Sequence, residues 1–458
     1  MYNLAFLVIY AFIMIASTLV FARSGNGKED FYVGNRRMGT ISSAMSVAAT
    51  WIWAPALFTS AEKAYTNGVP GLFWFLVPNV LCLLLFIPFA RKIRKDMPEG
   101  ITLSGYMGDR YKSGAVKGIY LFQLGALSVL STSVQLLAGG KILSLATGYP
   151  LWVMTIILAA IAFSYSAISG IRASIWTDTL QMVFMLAACA LFVPWALKLN
   201  GGLSAVSLSG VSGEFTSLIS GKGKEVFFSF GLPTAIGLFA GPFGDQCFWQ
   251  RAFSVKQEKI GKAFSLGAVF FFIIPFSMGL LGFIAAGSGF IPADNGMVNL
   301  ELIKAILPAW VIIPFMFMLI SGLLSTVDSN LCAAASLTTD VGEGNTRSKG
   351  ILAMLGILGA SIAIANIPGL TVTHMFLFYG TFRASTMLPT ILTLAGAKLK
   401  PRGIVVGILT SLLIGIPIFS YGNLNGIASY KTAGSLLTVL LSGMVAVLLS
   451  MRKGADAE

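Results

Sequence analysis

Between Ser321 and Asp340 the sequence reads SGLLSTVDSNLCAAASLTTD, closing a long apolar run that begins near Ile306. Wound as a helix, Ser321, Ser325, Asp328, Ser329, Cys332, Ser336 and Thr339 recur at spacings of three and four and share one face. That face does not look at lipid. An Asp near mid-membrane costs about 2.5–3.5 kcal/mol on insertion scales, so Asp328 points into protein, a water path or a bound cation. Hydroxyls and one carboxylate along a helical stripe are hard oxygen ligands of the kind a small cation takes. The same small residues also let helices approach closely, and this packing role stands beside the cation reading.

A stripe of this kind needs a membrane-spanning scaffold, and the composition supplies one. Of 458 residues, 56% are hydrophobic and 11% charged, with a mean hydropathy of +0.83, well outside soluble-globular usage. Cys82, Cys189, Cys247 and Cys332 are scattered singly, without metal-ligand or disulfide-framework spacing. The first apolar run, residues 1–22, lacks the basic leader of a signal peptide and is followed by Arg23, Lys28, Arg36 and Arg37. It reads as an uncleaved helix with its N-terminus outside. Twelve further spans lie near 38–60, 70–90, 115–147, 151–170, 174–196, 226–246, 261–288, 305–340, 349–367, 370–396, 402–420 and 431–451. An all-α chain of thirteen transmembrane helices follows.

Alternate loops test the orientation. Those assigned inside carry 23 Lys and Arg and those outside carry 6, with Lys141 and Arg383 left within spans. This is the asymmetry of the positive-inside rule, and it puts the C-terminus in the cytoplasm. The net charge of +13 is therefore mostly topology, and no nucleic-acid partner is needed to explain it.

Two spans carry helix breakers at membrane depth: the second around Thr50 and Pro55, the seventh with Gly231, Pro233, Gly237, Gly241, Pro242 and Gly244. Irregular backbone at that depth is tolerated where it lines a cavity or is buried in protein. The two spans are five helices apart, an odd offset that inverts one relative to the other, as in the inverted repeats that build a transporter's central site. Simple proline kinks are the plainer alternative. Pocket candidates near the breaks are Thr50, Trp53, Gln135, Phe239 and Phe243, an amide among aromatics that suits a small, weakly polar solute. Lys141 and Arg383 suit an anionic solute instead, or Arg383 anchors an interhelical network. His374, the only histidine, reads as structural.

YSAISGIRASIWTDTLQ (Tyr165–Gln181), LLSTVDSNLCAAASLTTD (Leu323–Asp340) and FYGTFRASTMLP (Phe378–Pro389), with the first broken helix, resemble the sodium:solute symporter family over nearly the whole chain. The resemblance implies a LeuT-type 5+5 inverted-repeat core, with an extra helix and loop over 1–37, repeats over 38–196 and 226–396, and C-terminal helices and tail over 402–458. It implies a sodium site from Ala48 and Trp51 on the first core helix and Gly322, Ser325 and Thr326 on the eighth. It further implies a second sodium or proton site at Asp178, Asp328 and Ser329. Asp328 also admits a shared proton or a packing hydrogen bond, and Asp178 a helix-capping role. Local stretches, TWIWAPALFTSAEKAY and FGDQCFWQRAF, look most like the urea and polyamine transporter branch.

The resulting expectation is a sodium-coupled symporter of a small organic solute, working by alternating access in a bacterial inner membrane, with no organic cofactor. Proton coupling on the same fold, or a non-transporting sensor or channel, remain open. No HExxH and no Ser/His pairing point to an enzyme.

Overall fold

The computed structural model describes residues 4–21, 27–342 and 347–451, so Arg23, Arg452 and Lys453 of the charge count lie outside the described residues. The described residues are all-helical and form no strand. We number the principal helices α1 (Ala5–Phe21), α2 (Thr40–Trp51), α3 (Ala54–Leu57), α4 (Thr59–Asp96), α5 (Gly114–Thr147), α6 (Leu151–Ser169), α7 (Ile171–Leu199), α8 (Leu232–Phe239), α9 (Gly241–Gly244) and α10 (Gln246–Ser254). The series continues with α11 (Ile260–Gly287), α12 (Ile312–Leu337), α13 (Arg347–Ala365), α14 (Val372–Leu394), α15 (Pro401–Leu424) and α16 (Ala428–Met451).

Each of the thirteen expected spans has a counterpart. Nine helices among the described residues are long and apolar enough to cross a membrane by length and composition. The other four are α1, the two interrupted spans, and α14, whose Arg383 and His374 lie among apolar residues. One boundary differs from expectation: α4 runs without a loop from the second span into the third, turning at Gly68 (φ +58°, ψ −150°). A side chain there would sit 2.5 Å from the Leu208 carbonyl, so a glycine is required both for the dihedral and for the space.

Connecting segments sort to two ends, as alternating spans require. At one end Arg36 donates to the Glu99 and Gly100 carbonyls (2.7 Å each), Thr102 and Ser104 donate to Asp340 (2.7 and 2.6 Å), and Arg347 donates to the Ala167 carbonyl (2.7 Å). At the other, the Tyr65 hydroxyl donates to the Phe290 carbonyl (3.0 Å) and Thr373 to Glu62 (3.2 Å). Between these ends α2 packs on α7, α11 and α12, and α12 is buried over nearly its whole length. The polar stripe is thus held in protein.

Candidate ion and solute site

At the first break Pro55 has no N–H for the Trp51 carbonyl and the helix stops ahead of it, whereas α4 runs on through Pro78 and Pro88. Ile52 (φ −83°, ψ +76°) leaves the helix, Trp53 (ψ 177°) is extended, and α3 restarts at Ala54. Gln135 on α5 receives the Ala54 N–H at 2.7 Å, supplying from another helix the acceptor that the break removed. The carbonyl side of the break faces α12. Thr326 Oγ1 donates to the Thr50 carbonyl at 3.1 Å and the Gly322 carbonyl at 3.3 Å, and a side chain on Gly322 would lie 3.2 Å from the Ile52 carbonyl. Carbonyls loosened from a helix beside a threonine hydroxyl make a neutral oxygen set, the chemistry a monovalent cation enters and leaves. Of the five residues implied for the first sodium site, Gly322 and Thr326 lie at the break formed beyond Ala48 and Trp51, while Ser325 turns to Asp178.

Asp178, on α7, is fully buried. Its Oδ1 accepts from Ser325 at 2.5 Å; its Oδ2 accepts from Ser46 at 2.5 Å and from Arg251 Nη2 at 2.8 Å. Arg251 also donates to Ser329 (2.6 Å) and, through Nε, to Ser46 (2.9 Å). Asp328 accepts from Ser174 at 2.7 Å and Thr177 at 3.2 Å, and Ser329 bridges to Thr50 at 2.9 Å. Asp178, Asp328 and Ser329 therefore lie in one cluster, but it also contains a cation that no sequence pattern announced. Counted from sequence with the inner loops, Arg251 is fully buried on α10 and paired with Asp178.

A second cluster joins the second break to α14. Asp245, extended between α9 and α10, accepts from Arg383 Nη1 at 3.1 Å and from the Tyr379 hydroxyl at 2.6 Å; Arg383 Nε donates to the Gly237 carbonyl at 2.6 Å. The Arg383 guanidinium lies 5.2, 5.3 and 4.6 Å from the Trp51, Trp53 and Tyr379 ring centres. Trp51 stacks on Trp53, so the two breaks meet across one cation and its aromatic box. Among the described residues Arg383 Nη2 and Trp53 Nε1 are buried donors without a hydrogen-bond partner.

The pocket candidates divide. Trp53 lines this box; Thr50 faces the acid cluster; Gln135 serves the break itself; Phe243 packs edge-on against Phe86, Phe89 and Trp249; Phe239 is half-buried. Arg251, Ser46, Ser174, Thr177, Asp245 and Tyr379 were not singled out from sequence. The spacing that exposed the α12 stripe also links Ser174, Thr177 and Asp178 and could have found them. No comparable signal joins Arg383 to Asp245, 138 residues away.

With this geometry in view, comparison with known proteins is decisive about kinship. The signature described as the sodium:solute symporter family matches residues 31–350. The chain belongs to that family. It is 22% identical to a urea-proton symporter of rice (Oryza sativa subsp. japonica), over 96% of this chain and 68% of that one. With the sodium/pantothenate symporter of Escherichia coli it shares 24% identity, over 92% and 90% of the two chains. The solved structure of a Na+-coupled sialic acid symporter in a substrate-bound outward-open state superposes with a TM-score of 0.80 at 16% identity, covering 99% of this chain and 98% of that one. At that identity the likeness shows the fold, which is LeuT-type. This family member is a multi-pass membrane transporter, and family and fold are those of transporters.

Proposed function

We propose that the chain is a sodium-coupled symporter that imports a small uncharged organic solute, with residues 38–196 and 226–396 as its inverted halves. The observation that carries this reading is the apposition of the first break to α12, where Thr326 Oγ1 reaches the Thr50 carbonyl at 3.1 Å. Sodium, the co-transported ion, would be held by the Ala48, Trp51 and Gly322 carbonyls and the Ser325 and Thr326 hydroxyls. Drawing α2 onto α12 at that point fixes one face of the aromatic box and favours the state in which the solute site is complete.

The second cluster supports an uncharged solute. Asp245 already neutralises Arg383, so no unpaired cation there calls for an anion. Two donors still lacking partners, on Arg383 and Trp53, suit a carbonyl acceptor such as that of urea, the solute named for the rice relative. Proton coupling is the second reading. It is favoured by two buried carboxylates, Asp178 and Asp328, against one guanidinium, which leaves a charge that a proton can close.

The test is thermal stability of the purified chain in sodium against potassium at equal ionic strength, because an ion that prefers the native state raises its stability by mass action. A sodium-specific rise that disappears in Ser325→Ala/Thr326→Ala is the expected outcome. No sodium effect in the native chain sinks sodium coupling and leaves the proton reading.

A further inference from the structure

We infer that Arg251 is a tethered cation: its guanidinium fills the position at Asp178 that a second sodium ion would take, so the chain couples to one sodium ion fewer than a symporter in which that position is open. The inference rests on the sodium reading above and concerns the Asp178 cluster, which shares Ser325 with the first site.

The donor set around Asp178 decides the matter. A bare monovalent cation needs oxygen lone pairs converging on one point. Here the lone pairs are turned towards guanidinium N–H groups: Nη2 reaches Asp178 Oδ2 (2.8 Å), Ser329 Oγ (2.6 Å) and Ser174 Oγ (3.3 Å), and Nε reaches Ser46 Oγ (2.9 Å). One side chain from α10 thus engages α2, α7 and α12, the helices that would enclose an ion. The hydroxyl hydrogens of Ser46 and Ser325 face Asp178 and that of Ser174 faces Asp328, while Thr177 shares its own between the Ala173 carbonyl (2.9 Å) and Asp328 (3.2 Å). The lone pairs on Ser46, Ser174 and Ser329 are then left to the guanidinium N–H groups, which occupy the directions a second ion would need. A guanidinium carries the same unit charge as sodium and is fully buried here, with Asp178 also fully buried, so neither can be left unpartnered without a large loss of stability.

Position adds a consequence. α10 follows directly on the second break, and the guanidinium therefore ties that broken span to α7 and α12. A dissolved ion is present in proportion to its concentration. A tethered one is present in every molecule, so the Asp178 contact answers to movement of α10 and not to external sodium.

The experiment counts sodium ions by linkage, from the slope of melting temperature against the logarithm of sodium concentration, with potassium holding ionic strength constant. The purified full chain is compared with Arg251→Gln, Arg251→Lys and Arg251→Gln/Asp178→Asn. The expected slope is that of one ion for the native chain and for Arg251→Lys, which keeps the charge. Arg251→Gln should gain one ion, doubling the slope, and the added Asp178→Asn should remove that gain. A native slope of two ions overturns the inference. So does a folded Arg251→Gln whose slope equals the native one, which would make the pair structural alone. Should Arg251→Gln fold in neither salt, direct counting with radioactive sodium on the native chain decides, two bound ions per chain overturning the inference. If the native chain shows no sodium dependence, the sodium reading of the first break fails, but the increment from native to Arg251→Gln still tests Arg251 alone.

Discussion

Arg383 and Asp245 show what a buried ion pair does in a transporter's centre. Arg383 is fully buried and Asp245 nearly so, and the pair links α14 to the backbone immediately after the second break. Removing one partner leaves the other charged, dry and unpaired, at a cost of about 3–5 kcal/mol, whereas replacing both is often far milder. Arg383→Gln is expected to lower the melting temperature in detergent sharply, and Arg383→Gln/Asp245→Asn to recover much of the loss. If the double variant is as unstable as the single one, packing of the arginine stem under Trp51 and Trp53 outweighs its charge. How far the sequence discloses such residues depends on how local their signal is. Asp328 and Ser325 are legible because they recur along one helix face within a few residues. Arg383 could be seen as a charge inside an apolar span, but its partner could not, and Arg251 was hidden altogether because a basic residue near a span end ordinarily marks the inner surface.

Both interruptions could be read from Pro and Gly clustered at membrane depth, although single prolines such as Pro78 and Pro275 sit inside unbroken helices. Gly170 is the sharper case at this scale. It separates α6 from α7 at φ +57°, ψ −134°, with the space of a side chain already taken by the Phe31 carbonyl and ring. A Cβ there meets both a disfavoured dihedral and a rigid backbone oxygen. Gly170→Ala is expected to cost roughly 1–3 kcal/mol from the dihedral alone, seen as lower yield of monodisperse protein and a lower melting temperature. Gly118→Ala, where open space surrounds the position within a helix, is the matched control and should leave the yield unchanged and the melting temperature equal or slightly higher. Equal behaviour of the two variants would mean that the α6–α7 corner rearranges freely. That corner also sets the start of the helix that carries Ser174 and Asp178, so the strain bears on the ion cluster as well as on folding.

For the whole molecule, alternation of the connections between two ends is a structural fact, and the direction in which it is inserted is a prediction. The basic residues of the sequence put the Arg36, Gly100 and Asp340 end in the cytoplasm and the Tyr65 and Phe290 end outside. All four native cysteines are buried, which leaves a quiet background for labelling. Cysteine placed at Ile291, 85% exposed beside the Phe290 contact, is expected to react with a membrane-impermeant maleimide in intact cells. Cysteine at Glu258, on the exposed turn that follows α10, should react only after the cells are opened. The reverse pattern would invert the molecule in the membrane without reversing the transport, because the sodium gradient sets the direction of a symport. The two sites lie on either side of α11, so a single helix crossing separates the outcomes, and no assumption about solute or ion enters the result.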